Sequence, residues 1–158
     1  PRMTKPFEPM KAETAVFDHI DWTNCWGSIK YDGIRAVIRN GVVLSKSLKP
    51  IPNPFIQARF GNRPELEGYD GELIIGEPNT PDVYLKTYSG VMTKKNVESD
   101  VRFYAFDHTT YPMEEFWQRY DRINPTTSTW SRCRSSPSSH VKTPRSWRRT
   151  SSTTVTRG

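Results

Sequence analysis

From Ile29 to Arg39 the chain reads Ile29-Lys30-Tyr31-Asp32-Gly33-Ile34-Arg35-Ala36-Val37-Ile38-Arg39, an alternation of apolar and polar positions. Alternation with a period of two is the mark of a strand with one buried face. Asn40-Gly41 follows, then Val42-Val43-Leu44. Asn-Gly between two β-rich runs is a strong hairpin signal, because both residues tolerate positive φ in a type I′ turn. A hairpin is therefore predicted, with Lys30 near the start of one strand and Ser45 near the end of its partner, so that the two ends are neighbours in space. In Pro52-Asn53-Pro54-Phe55-Ile56-Gln57-Ala58-Arg59-Phe60-Gly61, Asn53 can cap, Pro54 suits the first helical position and Gly61 suits the stop, which predicts a short helix. Leu73-Ile74-Ile75 between Gly71 and Gly76 reads as a short buried strand. Val101 to Asp107 reads as another, with Tyr104 and Phe106 on one face and Phe103 and Ala105 on the other. Pro112 to Tyr120 is expected to open a helix, with Glu114 and Glu115 in its first turn favouring the helix dipole. The pattern is α+β, dominated by antiparallel strands.

Composition adds a boundary. A chain of 158 residues is one domain of ordinary size. Residues 1–123 carry 16 Lys and Arg against 17 Asp and Glu, a net charge of −1. Residues 124–158 carry seven basic residues and no acid, with nine Ser, eight Thr and no Leu, Ile, Phe or Met. A segment so poor in aliphatic groups buries too little surface to offset the entropy of ordering it. The expectation is a folded unit over 1–123 and a disordered Ser/Thr/Arg-rich tail over 124–158, in which Trp130 and Trp147 have no apolar context. Such a tail either contacts nucleic-acid phosphates or is sequence read out of its coding frame.

Several classes drop out. There is no apolar run long enough to span a membrane, no signal-peptide stretch and no repeat. Two cysteines make neither a disulfide scaffold nor a Cys-built zinc site, and His19, His108 and His140 are scattered without ligand spacing. The expectation that remains is a soluble, cytoplasmic single domain with a basic segment attached, and a monomer is expected.

The hexad Lys30-x-Asp32-Gly33-x-Arg35 carries the most chemical information. A lysine serves as a covalent nucleophile in its neutral form, which a partly buried site or a cationic neighbour favours. Gly33 lets backbone approach a ligand closely, and Arg35 offers a rigid cationic fork suited to a phosphate or a ribose. The plain alternative is a polar strand with a solvated Lys and Arg and a glycine at a bulge.

Ser45-Lys46, Tyr69-Asp70-Gly71-Glu72-Leu73 and Phe103-Tyr104-Ala105-Phe106-Asp107 follow the hexad in order. Together, over roughly residues 5–120, these four motifs resemble the ATP-dependent DNA ligases of the covalent nucleotidyltransferase family. Lys30-Tyr31-Asp32-Gly33-Ile34-Arg35 and Leu48-Lys49-Pro50-Ile51-Pro52-Asn53 are most similar to the bacteriophage enzymes. The resemblance implies an antiparallel-sheet nucleotidyltransferase (ATP-grasp-like) adenylation domain, here C-terminally incomplete. It implies ATP and Mg²⁺ as the small partners and nicked double-stranded DNA as the large one. Lys30 then matches the lysine that attacks the α-phosphate of ATP, and Arg35 the arginine near the nucleotide sugar and the nicked end. Lys46 matches a basic nucleotide contact that is usually arginine. Glu72 matches the acid that binds the ribose or helps hold the divalent ion, and Phe106 the ring that stacks on adenine.

The chain departs from that pattern in three places. Ser28 stands where the family commonly has an acidic residue that contacts adenine. The two later motifs, a Glu-Gly pair with a second carboxylate and a pair of lysines, have no counterpart in these 158 residues, which also leave no room for the oligonucleotide-binding barrel that usually follows. The expectation is therefore a ligase that is weak or inactive in full ligation as the chain stands. The alternatives are an RNA ligase or mRNA-capping-type nucleotidyltransferase, and a non-catalytic basic DNA-binding fragment.

Overall fold

In a computed structural model the described residues are 7–11, 13–14, 16–21, 23, 25–124, 130–132, 135–137 and 153–157. The strands are β1 (Cys25–Ile29), β2 (Ile34–Arg39), β3 (Val42–Ser45), β4 (Tyr69–Ile75), β5 (Val101–His108), β6 (Trp130–Arg132), β7 (Ser135–Pro137) and β8 (Thr153–Arg157). The helices are α1 (Pro54–Phe60), α2 (Val83–Val91) and α3 (Phe116–Asp121). One sheet has the order β3-β2-β4-β5-β6 and a smaller one the order β7-β1-β8. All pairings are antiparallel except that of β5 with β6. The architecture is thus the α+β one read from the alternation.

The β2–β3 hairpin forms as expected. Asn40 and Gly41 take φ of 52° and 73°, and the Glu67 carboxylate accepts both of their N–H groups at 2.6 and 3.0 Å. The hairpin strand is shorter than the alternation suggested, however. Residues 30–33 leave the ladder, and β1 and β2 belong to different sheets. Lys30 accordingly sits in a loop between the two sheets and not in a hairpin strand.

The helix at 54–60 has the predicted ends, with the Asn53 side chain accepting from the Phe55 N–H at 2.9 Å. Asn53 is fully buried and its amide also donates to the Gly90 carbonyl, which ties α1 to the end of α2. Gln57 on α1 accepts from the Val43 N–H and donates to the carbonyls of Val43 and Ile51. These bonds occupy backbone groups at the outer edge of β3, where a bare edge would invite pairing with another chain.

The last helix starts later than its sequence suggested. Glu115 is its N-cap, in a reciprocal capping box with Gln118, and Pro112 to Glu114 precede it. Glu114 instead pairs with Arg122. The acid pair that read as a first turn is one cap and one ion-pair partner.

Alternation along β4 and β5 gives the central sheet two faces. Tyr69, Leu73, Val101, Phe103 and Ala105 join Ala36, Ile38, Phe60, Leu66 and Phe116 in the core cluster. Within the segment expected to be disordered, Trp130–Arg132 adds a strand to the sheet, and Trp130 is buried edge-on to Tyr69 with ring centroids 5.6 Å apart. One large indole plus a strand ladder supplies the burial that a census of aliphatic residues missed. Residues 135–137 and 153–157 pair their backbones with β1. Trp147 and the rest of the tail lie outside the described residues. Among the described residues no helix is long and apolar enough to cross a membrane.

Candidate active site

The second face of β2, β4 and β5 forms the floor of a cavity of about 1680 Å³. Lys30, Arg35, Lys46, Glu72 and Phe106 all line it, although 76 residues separate the first from the last. Register explains the convergence. Arg35 on β2 stands opposite Glu72 on β4, and Glu72 stands opposite Tyr104 on β5, two residues from Phe106 and on its face. Ser45 and Lys46 reach the rim from the end of β3, which pairs with β2 at Ala36.

The loop that carries Lys30 is packed tightly onto β4. A Cβ at Gly33 would lie 2.2 Å from the Leu73 carbonyl oxygen and 2.4 Å from Ile74 Cδ1. Only a glycine allows that approach. Its N–H donates to Glu72 Oε1 at 3.2 Å. Gly71, on the neighbouring strand position, is likewise dictated by space, since a Cβ there would meet the Tyr104 carbonyl oxygen at 2.3 Å.

Arg35 is held more firmly than its sequence context implied. Its Nε and Nη2 donate to the two carboxylate oxygens of Asp70, each at 2.6 Å, while Nη2 also reaches the Met10 carbonyl. Its guanidinium lies 4.7 Å from the centroid of the Phe106 ring. Burial works against the Arg35 charge, and the hydrogen bonds and charge of Asp70 outweigh it, so its pKa stands above the ordinary value. Asp70, only 1% exposed, is the site residue to which the sequence assigned no role. The signal was its spacing: two positions before Glu72 on a strand is the same face.

Glu72 has a different environment. Burial pushes its carboxyl from 4.5 up to about 7, against the pull of Arg35, of the Gly33 N–H and of Lys30. A carboxyl so placed keeps its proton over a range where an exposed glutamate has lost it. Among the described residues no three His, Cys, Asp or Glu side chains are grouped to hold a metal ion. Of the two β4 carboxylates, Asp70 is taken up by the Arg35 guanidinium, which leaves Glu72 as the one that could help to hold a hard cation.

Beyond these groups the floor carries a stacked pair that the sequence did not single out. Tyr31, next to Lys30, lies on Tyr104 with ring centroids 4.3 Å apart and planes inclined by 28°.

No protein-family model matches the chain, and no curated protein matches it. Solved structures do. The chain superposes on the Chlorella virus DNA ligase-adenylate with 28% identity and a TM-score of 0.58, over 74% of this chain and 41% of that one. A second structure of the Chlorella virus ligase-adenylate gives 25% identity and a TM-score of 0.57. A Lig E DNA ligase, described as binding DNA with a minimal scaffold, gives 23% identity and a TM-score of 0.60, over 84% of this chain and 52% of that one. The chain thus spans about two fifths to one half of the length of these ligases. Over that span it has the adenylation-domain fold of the ATP-dependent DNA ligases.

Proposed function

We propose that the chain is the nucleotide-binding part of an ATP-dependent DNA ligase and that its cavity carries out transfer of AMP to Lys30. The observation that carries this reading is the convergence of Lys30, Arg35, Lys46, Glu72 and Phe106 on one cavity. Likeness in fold to a ligase crystallised as its adenylate supports it.

The chemistry is a substitution at phosphorus. The Lys30 amine, neutral after giving one proton to solvent, forms a bond to the α-phosphorus of ATP and releases a second proton to solvent as the phosphoramidate forms. The bond from that phosphorus to the bridging oxygen breaks, and the electron pair leaves with pyrophosphate. Nucleotidyl transfer asks a protein chiefly for positioning and for cations opposite the growing phosphate charge. Arg35, immobilised by Asp70, and Lys46 on the rim are two lining cations that would face the substrate. Phe106 offers its ring to the base, a contact that contributes about 1–3 kcal/mol when a base stacks on an aromatic face. Glu72 is the residue that would hold magnesium, which would supply positive charge to offset that of the phosphates.

In this reading the second substrate is the 5′-phosphate end of a nick in duplex DNA. The AMP would pass to that phosphate before the strands are joined.

Intact mass spectrometry after incubation with ATP and magnesium tests the proposal. The expected result is one added AMP on the wild-type chain and none on Lys30→Ala. An adduct that survives in Lys30→Ala, or none on folded wild-type protein, overturns it. Competition of ATP against GTP in the same assay separates the ligase reading from a capping-type guanylyltransferase.

A further inference from the structure

Glu72 and Tyr104 face each other across the β4–β5 ladder on the cavity side of the sheet. Each holds a different residue of the loop that follows Lys30. The Glu72 carboxylate accepts the Gly33 N–H at 3.2 Å, and the Tyr104 ring carries the stacked ring of Tyr31 at 4.3 Å. The loop is thus pinned at two points on either side of Asp32, one of them a single position from Lys30.

Pinning matters because of where the loop runs. Residues 30–33 join β1 of the small sheet to β2 of the large one, and Lys30 itself is exposed. A lysine on such a loop has a flexible four-carbon stem, and neither sheet constrains its backbone directly. In-line attack needs the amine within about 3–3.5 Å of phosphorus, and a displacement of about 1 Å can cost about a hundredfold in rate. Burial alone does not require the Tyr31–Tyr104 contact, since both rings are only half-buried and neither belongs to the core cluster.

We infer that Tyr104, acting through the stacked ring of Tyr31, is a positioning residue that sets the Lys30 loop at the distance and angle required for attack. This rests on Lys30 being the nucleophile. Tyr104 gives its ring to Tyr31, whereas Phe106 two positions on lines the cavity with the Arg35 guanidinium over its ring.

The test compares Tyr104→Ala with Tyr104→Phe in single-turnover labelling by ATP. Tyr104→Ala is expected to slow AMP addition at saturating ATP by about 10–100-fold while the half-saturating ATP concentration moves by no more than about twofold. Tyr104→Phe keeps the stacking surface and should restore the rate. Tyr31→Ala removes the same stack without altering the sheet, so it should reproduce the Tyr104→Ala loss should that variant fold poorly. An unchanged rate in both alanine variants, or a loss that appears only in half-saturation, overturns the inference.

A second readout is independent of catalysis. Exchange of the Gly33 amide hydrogen, followed by NMR, should be at least tenfold faster in Tyr104→Ala and unchanged in Tyr104→Phe. Unchanged protection in Tyr104→Ala refutes the clamp even where wild type accepts AMP. If wild type accepts none while Gly33 still loses protection, the clamp stands and only the role assigned to Lys30 fails.

Discussion

Tyr69, Leu73, Phe103 and Ala105 point to one side of the five-stranded sheet, while Asp70, Glu72, Tyr104 and Phe106, their neighbours in sequence, point to the other. The first set is sealed among α1, α3 and Trp130. The second is held by directional contacts: a carboxylate fork on Arg35, a carboxylate on the Gly33 N–H, a stacked tyrosine and a cation over a ring. A single residue step moves a side chain from a region where volume decides to one where charge and orientation decide. The core face stabilises the sheet whether or not a substrate is present. The cavity face carries buried charge that no core would need, which is the expected signature of a site.

The comparison breaks most readily at Phe103, which is fully buried and tilted against Phe60 at 6.0 Å. Phe103→Ala should cost about 4 kcal/mol in urea unfolding, the sum of lost transfer energy and a cavity. A loss below about 1 kcal/mol would show that this face is not the packed one.

Asp70 crosses the division, being on the cavity face yet as buried as the core. Asp70→Ala leaves the Arg35 guanidinium with an exposure of 18% and no fork to hold it. The expected destabilisation is about 3 kcal/mol, towards the low end for a broken buried pair because Arg35 keeps some contact with water. Asp70→Asn should recover little of it. Near-full recovery by asparagine would make the contact a neutral hydrogen bond and not an ion pair.

Glu72 sharpens the contrast through pH. Below about pH 4 its carboxyl is protonated in the folded and the unfolded chain alike. Between 4.5 and about 7 the unfolded chain has lost the proton and the folded chain retains it. Folding therefore binds a proton in that window, and stability falls as pH rises through it. Glu72→Gln removes this dependence and still accepts the Gly33 N–H. Relative to wild type it should match at pH 4 and gain about 2–3 kcal/mol by pH 8. Parallel stability curves for the two proteins from pH 4 to 8 would place the titration elsewhere.

Local rules account for what was legible in the sequence. The hairpin at Asn40-Gly41 and the cap at Asn53-Pro54 follow from φ preferences and from one side chain satisfying a neighbouring amide, so they need no distant partner. The alternation along β5 placed Tyr104 and Phe106 correctly because a strand's pleat is independent of what covers it. The candidate residues Lys30, Arg35, Lys46, Glu72 and Phe106 were legible as an ordered set of motifs, and they do line one cavity.

The misreadings arose where a second segment decides. The alternation around Lys30 continues through residues 30–33, yet these leave the ladder because Gly33 must pack on β4, and that contact lies 39 residues ahead in the chain. Glu114 and Glu115 look like a first turn until Arg122 and Gln118 claim them separately. Trp130 looked unaccompanied until β5 and Tyr69 supplied its ladder and its ring contact. Periodicity and capping preferences, which are energies of near neighbours, are what the sequence by itself determined. Tertiary structure alone decided which carboxylate forks Arg35, which ring carries Tyr31 and how far the Glu72 proton is held. Those depend on register and burial, and both exist only once strands distant in the chain have paired.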